Sequence, residues 1–211
     1  MEENRLFILD AAEAVFAQKG FTAATMDDIA ERAQFSKATL YRYFESKLDI
    51  FDKIILQTFE DVLKRTKKIR DKETDAASKL KELFEYVGSQ YQKKMNIVRV
   101  FFIEMLFMKK KLLGTNEEDL SHTLSHPPIP EKLKVLLEDI SLSIQDIIRK
   151  GIDSGEFRTV DPADARIVFG AMVRGFHMQG PFLEKTYSMK ESTELLHSFF
   201  LHGIQKAGKA G

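Results

Sequence analysis

Apolar residues recur along nearly the whole chain at spacings of three and four, and few stretches alternate with the period of two that a half-buried strand requires. The pattern predicts an all-α protein of about nine helices. Leu6, Leu9, Ala12 and Phe16 mark one face of a first helix that stops at Gly20. Thr25 precedes a short amphipathic run with Asp28 three residues on, a capping box in which Asp replaces the usual Glu, and Ile29, Ala30 and Ala33 make its buried face. After a break at Ala33 to Ser36, Leu40 and Phe44 stand four apart in a second short helix. A long helix follows from Ser46, with Leu48, Phe51, Ile55, Phe59 and Val62 at helical spacing.

From about residue 75 the periodicity predicts five further helices. One runs over Leu80, Leu83, Phe84, Val87 and Tyr91, and another over "IVRVFFIEMLFMKKK". The polar, proline-containing stretch "GTNEEDLSHTLSHPPIP" then interrupts the pattern. A helix through Leu133, Leu137, Ile140, Ile144, Ile147 and Ile148 is closed by Gly151 and Gly155. In "DPADARIVFGAMVRGFHMQG", Asp161 is placed as N-cap and Pro162 at the first helical position. A last helix spans "MKESTELLHSFFLHGIQ".

With 211 residues, 44% of them apolar, the chain can bury a substantial core. It has no cysteine, which excludes disulfides and thiolate metal sites and suits a reducing, cytoplasmic setting. No apolar run approaches the roughly 20 residues that span a bilayer, so no membrane partner is expected. His122 and His126 are four apart but flank a proline-containing loop with no third ligand nearby, so neither metal nor cofactor is expected. No Ser/His/Asp arrangement or glycine-rich phosphate loop stands out, and an enzyme is not indicated.

Two short helices joined by a tight turn and preceded by a supporting helix form a helix-turn-helix. Ala30 and Ala33 supply the small residues where the second helix crosses the first, Phe35 fills the turn, and Leu40 and Phe44 point inward. Ser36, Lys37, Thr39, Tyr41, Arg42 and Tyr43 cover the remaining directions. Lys37 lies at the N-terminal end, which contacts base edges in this docking mode, and can donate to guanine O6 or N7. Ser36, Thr39, the tyrosine hydroxyls and Lys47 are types that bond phosphate oxygens.

Charge sharpens this picture. The chain as a whole has 32 basic and 32 acidic side chains, and residues 1–50 hold six basic against nine acidic, a net of −3. Residues 36–47 nevertheless carry three cations and one acid. Positive charge is therefore concentrated where DNA would lie, with modest non-specific affinity expected.

The stretch "TMDDIAERAQFSKATLYRYFESKLDIF", with the upstream "ILDAAEAVFAQKGFTAAT", resembles the DNA-binding domain of the tetracycline-repressor (TetR) family of bacterial transcriptional regulators. The resemblance is dense over about the first fifty residues. It includes Gly20-Phe21, Ile29-Ala30 and the Leu-Tyr-x-Tyr-Phe-x-x-Lys run from 40 to 47. It implies an all-α homodimer with a DNA-binding domain over 1–50, a ligand-binding and dimerisation domain over 51–211, and a linking helix at about 46–70. By matching position it assigns Thr25, Ser36, Lys37, Ala38, Thr39, Tyr41, Arg42, Tyr43 and Lys47 to DNA contact. Gln34 stands where the family usually has glycine, and Leu48 where it often has glutamate. A left-handed non-glycine at Gln34 costs about 1 kcal/mol.

Beyond residue 75 the resemblance thins to "GIDSGEFRTVDPADAR" ahead of an apolar helix. It implies that the last two helices pair with their copies, and Phe169, Val173, Leu196, Phe199, Phe200 and Ile204 are the expected interface. Phe84, Tyr91, Phe101, Phe102, Met105, Met108, Met172, Phe176 and His177 are the candidates for an adaptable, largely apolar effector site. The expected function is a ligand-responsive repressor that binds an inverted-repeat operator in double-stranded DNA and is released by a small apolar effector. The rival is a helical lipid- or drug-binding module without operator function.

Overall fold

The computed structural model describes residues 2–93, 97, 130–179 and 187–204. They form eight helices and, among the described residues, no strand. These are α1 (Glu2–Ala23), α2 (Met26–Ala33), α3 (Lys37–Tyr43), α4 (Lys47–Arg70), α5 (Ala76–Lys93), α6 (Glu131–Asp153), α7 (Pro162–Gln179) and α8 (Met189–Ile204). The all-α expectation holds. The helix expected over "IVRVFFIEMLFMKKK" and the loop after it lie outside the described residues.

The chain divides into two compact units. The described part of the first is 2–58, 97 and 130–134, and that of the second is 59–93, 135–179 and 187–204. Helix α4 belongs to the first unit through Thr58 and to the second from Phe59.

In the first unit, α1 buries Leu9, Ala12 and Phe16 as the spacing predicts, whereas Leu6 is exposed. Helical dihedrals break at Gly20 (φ 76, ψ 166), and a last turn to Ala23 follows. That turn brings Phe21 back onto Phe16, with ring centroids 5.6 Å apart, and Phe51 of α4 closes the trio at 5.7 Å and 4.7 Å. All three rings are buried.

In the second unit, Phe84 of α5, Phe169 of α7 and Phe200 of α8 form a similar cluster, with centroids 4.3 to 5.9 Å apart. The "GIDSGEFRTVD" segment, residues 151–161, secures several helix ends. Glu156 accepts the Ala76 and Ala77 N–H groups at 2.8 and 2.7 Å, satisfying donors that α5 leaves open at its start. Gly151 lets the Phe157 ring settle where a Cβ would stand 2.4 Å from it. Arg158 ties down the end of α8, its N–H and Nε donating to the Ile204 and Gly203 carbonyls at 2.8 and 2.7 Å. Asp161 caps α7 by accepting from Ala163 N–H at 2.7 Å, with Pro162 at the first helical position as expected.

Candidate nucleic-acid interface

The candidate surface is assembled from caps. Thr25 is extended (φ −122, ψ 162) and accepts from Asp28 N–H at 3.1 Å, while Asp28 accepts from Thr25 N–H at 3.0 Å. This is the capping box read from the sequence, with Asp reaching far enough to replace Glu. Lys19 joins it at 2.7 Å and, with Thr25, holds the Asp28 carboxyl below its ordinary pKa.

Helix α2 ends at Gln34, a left-handed residue (φ 57, ψ 36), and Phe35 N–H returns to the Ala30 carbonyl at 3.0 Å. The Cβ of Gln34 clashes in this conformation where glycine would not. Gln34→Gly is therefore expected to raise stability by about 0.5–1 kcal/mol, the strain relief being reduced by glycine's greater freedom in the unfolded chain. Thermal melts of the two proteins at equal concentration check this, and a lower melting point for the glycine variant would refute it.

Ser36 then caps α3. Its hydroxyl accepts from Thr39 N–H at 3.1 Å and lies 2.8 Å from the Thr39 hydroxyl. Leu40 and Phe44 are buried and seat the helix, and Phe35 is half-buried beneath the turn. Ser36, Lys37, Ala38, Tyr41 and Arg42 are exposed, with Tyr41 at 50%. The structure thus brings most of the expected contact residues onto one short helix whose opposite side is locked into the core.

Three features were not legible in the sequence. The Lys37 ammonium is already paired, 2.8 and 3.0 Å from the two carboxylate oxygens of Asp27 in the first turn of α2, and this pair raises its pKa. Asn4 Nδ2 donates to the Tyr43 hydroxyl at 3.2 Å, and the Arg5 guanidinium lies 5.4 Å from the Phe44 ring centroid, so the start of α1 braces the end of α3.

Lys47 is the third. Its ammonium donates to the carbonyls of Phe21, Thr22 and Ala24 at 2.6, 3.2 and 2.7 Å and sits 4.6 Å from the Phe21 ring centroid. Three N–H groups meet three acceptors, which leaves none for the phosphate contact expected of this residue. Desolvation lowers its pKa, while the carbonyls it serves require the protonated form.

The expected dimer residues, and Phe84, Tyr91, Met172, Phe176 and His177 of the expected effector site, fall in the second unit. Phe169, Val173, Leu196, Phe200 and Ile204 are buried within the chain itself, so of the six residues expected at a dimer interface only Phe199, 69% exposed, is at the surface. The stripes on α7 and α8 close on Phe84, whose ring lies 4.3 Å from Phe169 and 5.9 Å from Phe200. Among the described residues, the large apolar side chains exposed on α7 are Ile167 and Val168, at 58% and 51%. Their signal was an apolar pair on the side of α7 away from Phe169 and Val173.

Of the effector-site candidates, Phe84 is buried in the aromatic cluster, and Met172, Phe176 and His177 are half-buried. The Phe176 ring lies 5.5 Å from His177 and 5.3 Å from Tyr187. Burial lowers the pKa of His177. Tyr91 is on α5, while Phe101, Phe102, Met105 and Met108 lie outside the described residues. An open cleft of about 450 Å³ lies elsewhere, between Lys67 and Arg70 of α4 and Asp139 and Asp146 of α6. It is polar, its charges answer one another, and it does not fit an apolar effector.

Among the described residues no group of three or more His, Cys, Asp or Glu side chains could hold a metal, and no helix is long and apolar enough to cross a membrane.

Residues 8–54 match the sequence profile of the family described as bacterial regulatory proteins, tetR family. The HTH-type transcriptional regulator YhgD of Bacillus subtilis (strain 168) is 26% identical over 187 residues, 87% of this chain and 89% of that one. A regulator from Saccharomonospora viridis, solved in complex with choline, superposes with a TM-score of 0.76 at 21% identity, over 98% of this chain and all of the other. FadR from Bacillus subtilis, solved in complex with stearoyl-CoA, superposes with a TM-score of 0.71 at 19% identity, over 95% and 99%. The matched segment and the fold define a helix-turn-helix transcriptional regulator. Over residues 8–54 the chain is similar to the segment that the tetR family profile describes.

Proposed function

We propose that the protein is an effector-responsive repressor, acting as a homodimer on an inverted-repeat operator. The observation that carries this reading is the divided surface of α3: Leu40 and Phe44 buried, with Ser36, Lys37, Ala38, Tyr41 and Arg42 outward at a capped helix start. Thr25, Thr39 and Tyr43 complete the contact set; Lys47 acts from below by holding the end of α1. Two copies related by a dyad present two such helices, and half-sites about one DNA turn apart follow.

The effector is a small, largely apolar molecule bound within 51–211, a domain distinct from the DNA-binding residues 1–50. Met172, Phe176 and His177 supply an aromatic and sulfur-bearing lining with one half-buried imidazole. The two similar structures hold different molecules, stearoyl-CoA and choline, so the chemistry here rests on this chain's own side chains. The effector releases DNA by binding one conformation of the dimer better than the other. The setting is the cytoplasm, where operator DNA is accessible.

Titration of the protein into genomic fragments at several salt concentrations tests the reading. A preferred inverted repeat and log affinity falling linearly with log salt support it. Equal, weak binding to all fragments would leave a helical ligand-binding module in its place.

For the dimer, the supporting feature is the exposed apolar set Ile167, Val168 and Phe199 on α7 and α8, surface that water does not favour on a lone chain. Phe199→Glu is expected to weaken self-association by roughly 2 kcal/mol or more, as for an aromatic at the centre of an interface. Light scattering after size exclusion should then show monomer, with helix content kept because Phe199 is not in the core. A dimer of undiminished strength would take Phe199 out of the interface.

A further inference from the structure

We infer that Asp27 is a specificity-determining residue of the DNA-binding surface: it holds the Lys37 ammonium in a pair that ordinary phosphates open poorly and a cognate base opens well. The inference rests on the reading of α3 as the recognition helix.

Two acidic residues open α2, and the structure separates their duties. Asp28 is committed to the cap, bonded to Thr25 N–H and Lys19. Asp27 is 67% exposed at its side chain and, among the described residues, pairs with Lys37, ten residues on. Both of its oxygens reach the ammonium, at 2.8 and 3.0 Å. Lys37 is the first residue of α3, at the end that approaches base edges in this docking mode. A duplex that engages Lys37 therefore meets Asp27 as well.

The physical consequence depends on what replaces the carboxylate. An exposed pair of this kind is weak, so a good acceptor can exchange with it. Guanine O6 and N7 together offer two fixed acceptors in the plane of the base and carry no net charge that Asp27 would repel. A phosphate offers charge but is repelled by Asp27 at the same distance, and it is available at every sequence. The pair thus subtracts one cation from the sequence-independent attraction, while the cognate complex can still recruit it. The local excess of positive charge on residues 36–47 is tempered where it would otherwise be least selective.

Asp27→Asn keeps the side chain's size and leaves the Thr25–Asp28 cap untouched. With a random-sequence duplex as probe, this variant is expected to bind about three- to tenfold more tightly than the unaltered protein at low salt, with a log–log salt slope steeper by about one. Affinity for the inverted repeat selected by the unaltered protein should rise less, so selectivity falls. In a Lys37→Ala background the same change should do little, because the released cation is gone. A merely structural role for Asp27, favouring the positive end of α2, predicts the opposite sign: lower melting temperature and weaker binding. Unchanged random-duplex affinity and slope, or an equal gain with and without Lys37, overturns the inference. Failure of the unaltered protein to select any repeat would instead overturn the repressor reading, which makes the two failures distinguishable.

Discussion

Phe16→Ala is expected to destabilise the protein by about 3–5 kcal/mol, the cost of removing a fully buried aromatic ring and leaving a cavity that its neighbours fill only in part. Phe16 joins the body of α1 to Phe21 beyond the Gly20 break and to Phe51 of α4, and all three rings are buried. Because native proteins retain only about 5–15 kcal/mol in total, such a loss threatens the whole DNA-binding unit. Denaturant unfolding followed by circular dichroism measures it, and operator binding should fall with the folded fraction. A loss under about 1 kcal/mol would mean that the trio is not a packed core.

The second large effect is expected at Lys47. Lys47→Met keeps the aliphatic stem over the Phe21 ring and removes the ammonium, leaving the carbonyls of Phe21, Thr22 and Ala24 without their donor. These are the carbonyls at the end of α1, and part-buried acceptors without partners are costly. A destabilisation of about 2–3 kcal/mol is expected, less than three full penalties because water can reach some of them. The phosphate-contact role implied by sequence position predicts a different pattern: unchanged stability and a salt slope of DNA binding shallower by about one. Measuring unfolding and salt-dependent binding on the same variant separates the two, and unchanged stability would remove the structural assignment.

The two substitutions act on one construction. The Gly20 break turns Phe21 back under α1, the aromatic trio fixes that turn, and Lys47 closes the carbonyls the turn exposes. Helix α3 is seated separately by Leu40 and Phe44 and braced at its end by Asn4 and Arg5. Its outward residues other than the Ser36 cap contribute little to the core, which leaves them free to vary with the operator at small cost to the fold.

The sequence by itself determined what depends on neighbours along the chain. Helical periods, the Thr25–Asp28 box, the Asp161–Pro162 start, the break at Gly20 and the inward pair Leu40 and Phe44 are all local, because caps and amphipathic faces are set within one or two turns. Gln34 in a left-handed turn belongs to the same class. Only the tertiary structure decided the rest. Lys37 and Asp27, Lys47 and Phe21, and Asn4 and Tyr43 lie 10, 26 and 39 residues apart, and no spacing rule joins them. Phe169 and Phe200 against Ile167, Val168 and Phe199 make the same point for apolar residues. Periodicity shows that a side chain must leave water, but whether its own chain or a second copy covers it depends on which surfaces the fold brings together first.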